Sequence, residues 1–143
     1  MLRKILLTAS MMILPVISFA NGYVGQWHTV NEETNKAESL VTIWEDGDEL
    51  KGKIEQILDP EARDMVCEKC EGDKKNQKLE GLTFIWGMEK DGSKYDDGKI
   101  LDPTSGKIYS ASMKLIEDGE KLEVRGYLGF ALLGRTQVWV KAE

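Results

Sequence analysis

Cys67 and Cys70 are the only cysteines in the chain, and the spacing Cys-x-x-Cys suits either a thiol redox pair or a short disulfide clip. A redox pair depends on one lowered thiol pKa, obtained at a helix N-terminus inside a thioredoxin-like βαβ surround. Nothing around these cysteines has that pattern. A disulfide closing so small a ring would stabilise by about 2 kcal/mol on the loop-entropy argument, and this structural reading is preferred. Two cysteines cannot make a four-cysteine zinc site, and with His28 as the only histidine a mixed site is also short of ligands. No metal and no cofactor is expected. His28 follows Trp27, so if the indole faces inward, strand alternation turns the imidazole outward to water, away from any identified acid–base partner. The acidic runs Glu45–Glu49 and Asp91–Gly98 do not match a calcium loop, because Lys94 and Tyr95 stand where oxygen donors are needed. The nucleophile elbow, phosphate loop, zinc-protease helix and dinucleotide fingerprint do not occur, and no catalytic residue is assigned.

Two arginines have recognition chemistry. Arg125 and Arg135 could each pair with the carboxylate of a bound acid at the mouth of a barrel. Arg135 also has a structural task available, and Arg125 stands on a face that can simply meet water. Trp27, Trp44, Trp86 and Trp139 all fall in strand-like segments, which favours core positions over exposed sugar-stacking platforms.

The segments that must hold these residues are short strands broken by turn chemistry. Runs at 26–30, 40–44 and 50–58 come first, the last two joined across Asp46-Gly47 as a hairpin. Further runs cover 82–88, 99–101, 107–116, 121–130 and 134–140, broken at Asp91-Gly92, Asp102-Pro103 and Asp118-Gly119. In the seventh run Leu122, Val124, Gly126, Leu128 and Phe130 share one face, while Glu123, Arg125 and Tyr127 take the other. No stretch after residue 20 keeps a helical apolar period. About eight strands with short connections predict an antiparallel meander closed into a barrel, which removes exposed edges. Residues 59–80 break the pattern as one long loop, with a short helix expected over 60–66 and the two cysteines tying the loop down.

Residues 1–20 read differently. Arg3 and Lys4 precede an apolar run, Ile5–Ile17, and Ser18-Phe19-Ala20 offers the small residues of a signal-peptidase site. The expectation is a signal peptide cleaved after Ala20, release to the periplasm or medium, and a single domain over 21–143. The run is short for a permanent membrane span, so no stable membrane insertion is expected after cleavage. Cleavage removes two positive charges and no negative ones, taking the net charge from −6 to −8. So acidic a domain is repelled by phosphate backbones, which argues against nucleic acid as a partner.

Several ordered pieces carry a resemblance. Gly25-Gln26-Trp27, Cys67-x-x-Cys70 with Gly72, Gly98-Lys99-Ile100-Leu101-Asp102-Pro103, Gly106-Lys107-Ile108-Tyr109, Arg125-Gly126-Tyr127-Leu128-Gly129 and the run Leu132–Trp139 stand in sequence. Together they resemble the exported bacterial family known as domain of unknown function 2147, and the match covers nearly all of 21–143. The resemblance implies a small lipocalin-like β-barrel. Lipocalins begin their first strand with Gly-x-Trp, matched by Gly25 and Trp27, and lay an arginine of the last strand across that indole. Arg135 is the residue expected there, in a contact worth roughly 0.5–2 kcal/mol. Against the family pattern, the chain is short and the usual flanking helix has no counterpart.

The reading that follows is an all-β, non-catalytic binder of a small apolar or amphipathic molecule. Its candidate pocket is Leu122, Val124, Leu128 and Phe130, with Arg125 beside them. The alternatives are a filled barrel that docks a protein partner, whose identity the residues do not give, and thiol redox through Cys67 and Cys70.

Overall fold

The computed structural model describes residues 21–129 and 134–142. The predicted signal peptide, residues 1–20, and Phe130 of the candidate pocket lie outside the described residues. Eight strands follow one another around a closed antiparallel barrel in chain order. They are β1 (Gly25–Val30), β2 (Ala37–Asp46), β3 (Glu49–Ile57), β4 (Thr83–Asp91), β5 (Lys94–Leu101), β6 (Ile108–Ile116), β7 (Lys121–Tyr127) and β8 (Gly134–Lys141). Each neighbouring pair is antiparallel, and β1 closes onto β8 through Trp27 opposite Lys141 and His28 opposite Val140. Every predicted run corresponds to one strand. Among the described residues no helix is long and apolar enough to cross a membrane.

The meander fixes two ends. The tight turns β2–β3, β4–β5 and β6–β7 lie at what we call the lower end, together with the start of β1 and the end of β8. The β1–β2, β3–β4 and β5–β6 connections lie at the upper end, with the end of β7 and the start of β8. Inward residues of the lower half are large: Trp27, Ile43, Leu50, Met88, Met113 and Leu122 are all fully buried. Around the upper level the inward positions carry smaller groups, among them Thr29, Ser39 and Gly126. An eight-stranded barrel is just wide enough to be filled by side chains or to hold one small ligand. Here residue size divides the interior, packing the lower half and leaving space above it.

Residues 58–82 form the long upper connection. The predicted helix over 60–66 is a single 3₁₀ turn, Pro60–Ala62, whose preceding Asp59 side chain accepts from the Glu61 N–H at 3.0 Å. Beyond it the chain doubles back on itself. Leu79 donates to Met65 O, Cys67 N–H to Gln77 O, and Val66 pairs with Lys78. Cys67 and Cys70 form the disulfide and are 0% and 3% exposed.

Candidate functional site

The lower end is a plug, built from the Gly-x-Trp segment. Trp27 is 1% exposed, and its indole N–H donates to Tyr23 O at 3.0 Å. Tyr23 packs edge-on against Tyr95 with ring centroids 4.7 Å apart. Its hydroxyl donates to Ser93 O at 2.9 Å and accepts the Leu115 N–H at 3.1 Å. Burial pushes the Tyr23 phenol above its ordinary pKa, opposed in part by the Leu115 N–H. A wide hollow of about 1140 Å³ lies between the hairpin turns at this end, edged by the acidic residues Glu45, Asp48, Glu49 and Glu89 and by Lys90. Tyr23 and Tyr95, packed on each other, line it with Leu50 and Leu115.

The expected arginine is not in this plug. Trp27 lies opposite Lys141, and Arg135 stands six residues further up β8. At about 3.3 Å per residue, that puts the two backbones roughly 20 Å apart along the barrel. Strand alternation gives Arg135 the correct face but not the correct height. The Trp27 indole is held instead by the Tyr23 carbonyl, and barrel closure does not depend on an arginine–indole contact.

Arg135 lines the upper cavity, a space of about 940 Å³ that opens at the upper end. Its floor is apolar. Trp139, 1% exposed, lies 6.1 Å from Phe84 between ring centroids, and Val124 and Ile54 complete the base. The Trp139 indole N–H donates to Gln137 Oε1 at 3.2 Å. Higher on the wall, Thr29 and Ser39 share a 2.6 Å hydroxyl–hydroxyl hydrogen bond. Two carboxylates reach the rim, and both are engaged. Glu38 accepts from the Asn31 amide at 2.7 Å, while Asp102 accepts from Thr104 N–H at 2.9 Å and from the Ser105 hydroxyl at 3.0 Å.

The other pocket candidates separate by strand parity and by height. Leu122 lies at the bottom of the packed half and is 0% exposed, so it is core and not lining. Val124 lines the cavity, and Leu128, 54% exposed, stands at its rim. Arg125 does not line it. Its guanidinium lies across the outer surface at Gly134, where an added Cβ would come within 2.9 Å of Nε. Nearby Tyr127 donates to Asp96 Oδ1 at 3.1 Å. Burial first, then that hydrogen bond and the charge of Asp96, raise the Tyr127 phenol, and Arg125 works the other way. Arg135, expected across Trp27, thus lines the cavity, while Arg125, placed beside the candidate pocket, keeps the outward face that strand alternation gives it.

The disulfide serves the same rim. Cys67 Sγ lies 3.5 Å from Pro103 O, and Pro103 lines the cavity. Gly106, at φ +73°, brings the β5–β6 turn so close to Lys69 and Cys70 that an added Cβ would collide with Lys69 O. The clip therefore buttresses one wall of the opening, a role that spacing alone does not reveal. His28 is half-buried rather than freely solvated, and its Nδ1 has no hydrogen-bond partner among the described residues. Trp44 and Trp86 are only half-buried, and Lys74 of the long connection places its ammonium 3.9 Å from the Trp86 ring centroid. Among the described residues no group of three or more histidine, cysteine or acidic side chains could hold a metal ion.

Residues 25–141 match the family described as "Uncharacterized protein conserved in bacteria (DUF2147)". The chain belongs to this family. The solved structure titled "Protein HP1028 from the human pathogen Helicobacter pylori belongs to the lipocalin family" superposes with a TM-score of 0.73 at 18% identity, covering 85% of this chain and 83% of that chain. At that identity the likeness speaks for the fold, a lipocalin-like barrel. No curated protein matches the chain.

Proposed function

We propose that this DUF2147 protein is a non-catalytic carrier that binds a small apolar or amphipathic molecule in the upper half of its barrel. One observation carries the reading: a cavity of about 940 Å³, with an apolar floor at Trp139, Phe84 and Val124, opens to solvent at one end of an otherwise packed barrel. That volume falls in the range of small-molecule pockets, roughly 300–1,000 Å³. Burying apolar ligand surface there contributes about 25 cal/mol per Å², before the costs of association. The lipocalin-like fold is compatible with the reading and does not by itself fix a function.

The test uses a neutral fluorescent probe, N-phenyl-1-naphthylamine, and a variant that fills the cavity. An added Cβ at Gly126 meets only ordinary contacts, 3.5 Å from Ile100 and 3.6 Å from Tyr109, so Gly126→Leu directs its bulk into the space. Saturable fluorescence in the wild type, lost in a folded Gly126→Leu protein, supports the proposal. Equal signals in both proteins, or none in either, refute it.

The sequence of residues 1–20 and the Cys67–Cys70 disulfide support an exported protein in an oxidising compartment. Intact-mass measurement of protein from the periplasmic fraction checks this: a chain starting at Asn21 is expected, and one retaining Met1 contradicts it.

A further inference from the structure

We infer that the ligand of this cavity is an anionic amphiphile, its acidic head held by Arg135 with Gln137 below it and its chain lying on Trp139, Phe84 and Val124. This rests on the cavity reading and goes further, because it assigns the chemistry of the head group. Arg135 is the one cationic side chain lining the cavity among the described residues, and it has no ion pair there. Its guanidinium offers a planar fork of donors suited to a carboxylate or phosphate.

Gln137 lies two residues along β8 on the same inward face, about 6.6 Å from Arg135. Its amide orientation is set from below. Trp139 donates to Oε1, so the carbonyl side of Gln137 is turned to the indole and the Nε2 donors remain for a ligand. Tyr109 adds a further hydroxyl to the lining.

Two acidic residues also line the cavity, and neither forms an ion pair with Arg135. Glu38 is held by Asn31, and Asp102 is committed to Thr104 and Ser105 within its own turn. Both carboxylates organise upper connections. Neither set of hydrogen bonds removes a carboxylate's charge, but with no ion pair to Arg135, among the described residues its guanidinium fork and the Gln137 amide remain for a head group that supplies acceptors and negative charge. A quaternary ammonium head would meet the Arg135 guanidinium as a like charge and would offer no acceptor to its donors.

Displacement of N-phenyl-1-naphthylamine from the purified protein tests this with three probes of equal chain length: dodecanoate, dodecanol and dodecyltrimethylammonium. Dodecanoate is expected to displace the probe at about tenfold lower concentration than dodecanol, with the ammonium weakest. Arg135→Gln is expected to remove the dodecanoate advantage and leave dodecanol unchanged, a split that a merely structural loss would not produce. Equal binding of dodecanoate and dodecanol, preference for the ammonium, or a parallel loss of both chains in Arg135→Gln overturns the inference while leaving the cavity reading intact. Failure of all three chains to displace a bound probe overturns the inference alone, whereas absence of saturable probe binding refutes the cavity reading as well.

Discussion

Replacing Gly106 by alanine should detach the disulfide loop from the cavity rim. Gly106 sits at φ +73°, where an L-residue costs about 1–2 kcal/mol. The larger effect is steric. The new Cβ would overlap Lys69 O and the carbonyl carbon and come within 3.1 Å of Cys70 N, all backbone atoms that cannot rotate away. Relief requires the β5–β6 turn and the clip to separate, which uncovers part of the buried cysteine pair and the contact from Cys67 Sγ to Pro103 O. Overpacking of this kind adds roughly 1–3 kcal/mol, for a total of about 3 kcal/mol. For a domain of this size each kcal/mol shifts Tm by about 4 °C, so a fall of about 12 °C is expected. Gly92→Ala supplies the control. It has φ +61° and nothing within 4 Å of the added carbon, so it carries the backbone cost alone and should lose about 4–8 °C. Thermal unfolding followed by circular dichroism compares the two. If Gly106→Ala costs no more than Gly92→Ala, the clip does not brace the rim.

Other outcomes follow from the same structure. Replacing both Cys67 and Cys70 by serine should cost about 2 kcal/mol in urea unfolding, with probe binding weakened more than stability alone accounts for. Trp27→Ala removes a fully buried indole and its bond to Tyr23 O, and should cost about 3–5 kcal/mol by the same unfolding assay. Tyr23 and Tyr127 both have raised phenol pKa values, so the folded state holds those protons more tightly than the unfolded chain. Their contribution is full below the ordinary phenol pKa of about 10 and is lost as pH rises through the folded values. Tm measured between pH 8 and 11.5 should therefore drop at the alkaline end, and Tyr23→Phe should flatten part of that drop.

Face and strand identity are legible in the sequence because they depend on near neighbours. The period of two in Leu122–Leu128 places Val124 inward and Arg125 outward without any tertiary information. Height along the barrel depends instead on the register of distant strands. Nothing local in Gly-Arg-Thr-Gln says that Lys141, rather than Arg135, will stand opposite Trp27. β5 begins at Lys94 rather than 99, a start the sequence hides because Lys94-Tyr95-Asp96-Asp97 has turn-like chemistry. The buried Tyr95, packed on Tyr23, draws the segment into the sheet, and the register shift between Tyr95 and Gly98 accommodates Asp97 at φ 58°. The half-open interior is equally non-local, since Thr29, Ser39 and Gly126 come from three strands and meet at one level only once the barrel closes. The clip's contact with Pro103 likewise joins segments 36 residues apart.

The central claim, that the upper half of the barrel receives a ligand, is read most directly by nuclear magnetic resonance during titration with dodecanoate. The Trp139 indole N–H, the Val124 methyls and the Gly126 amide are expected to shift together and saturably. The Trp27 indole N–H, bonded to Tyr23 O at the plugged end, should stay in place. Shifts centred on Trp27 and Tyr23, or an unchanged spectrum at saturating dodecanoate, would contradict the account.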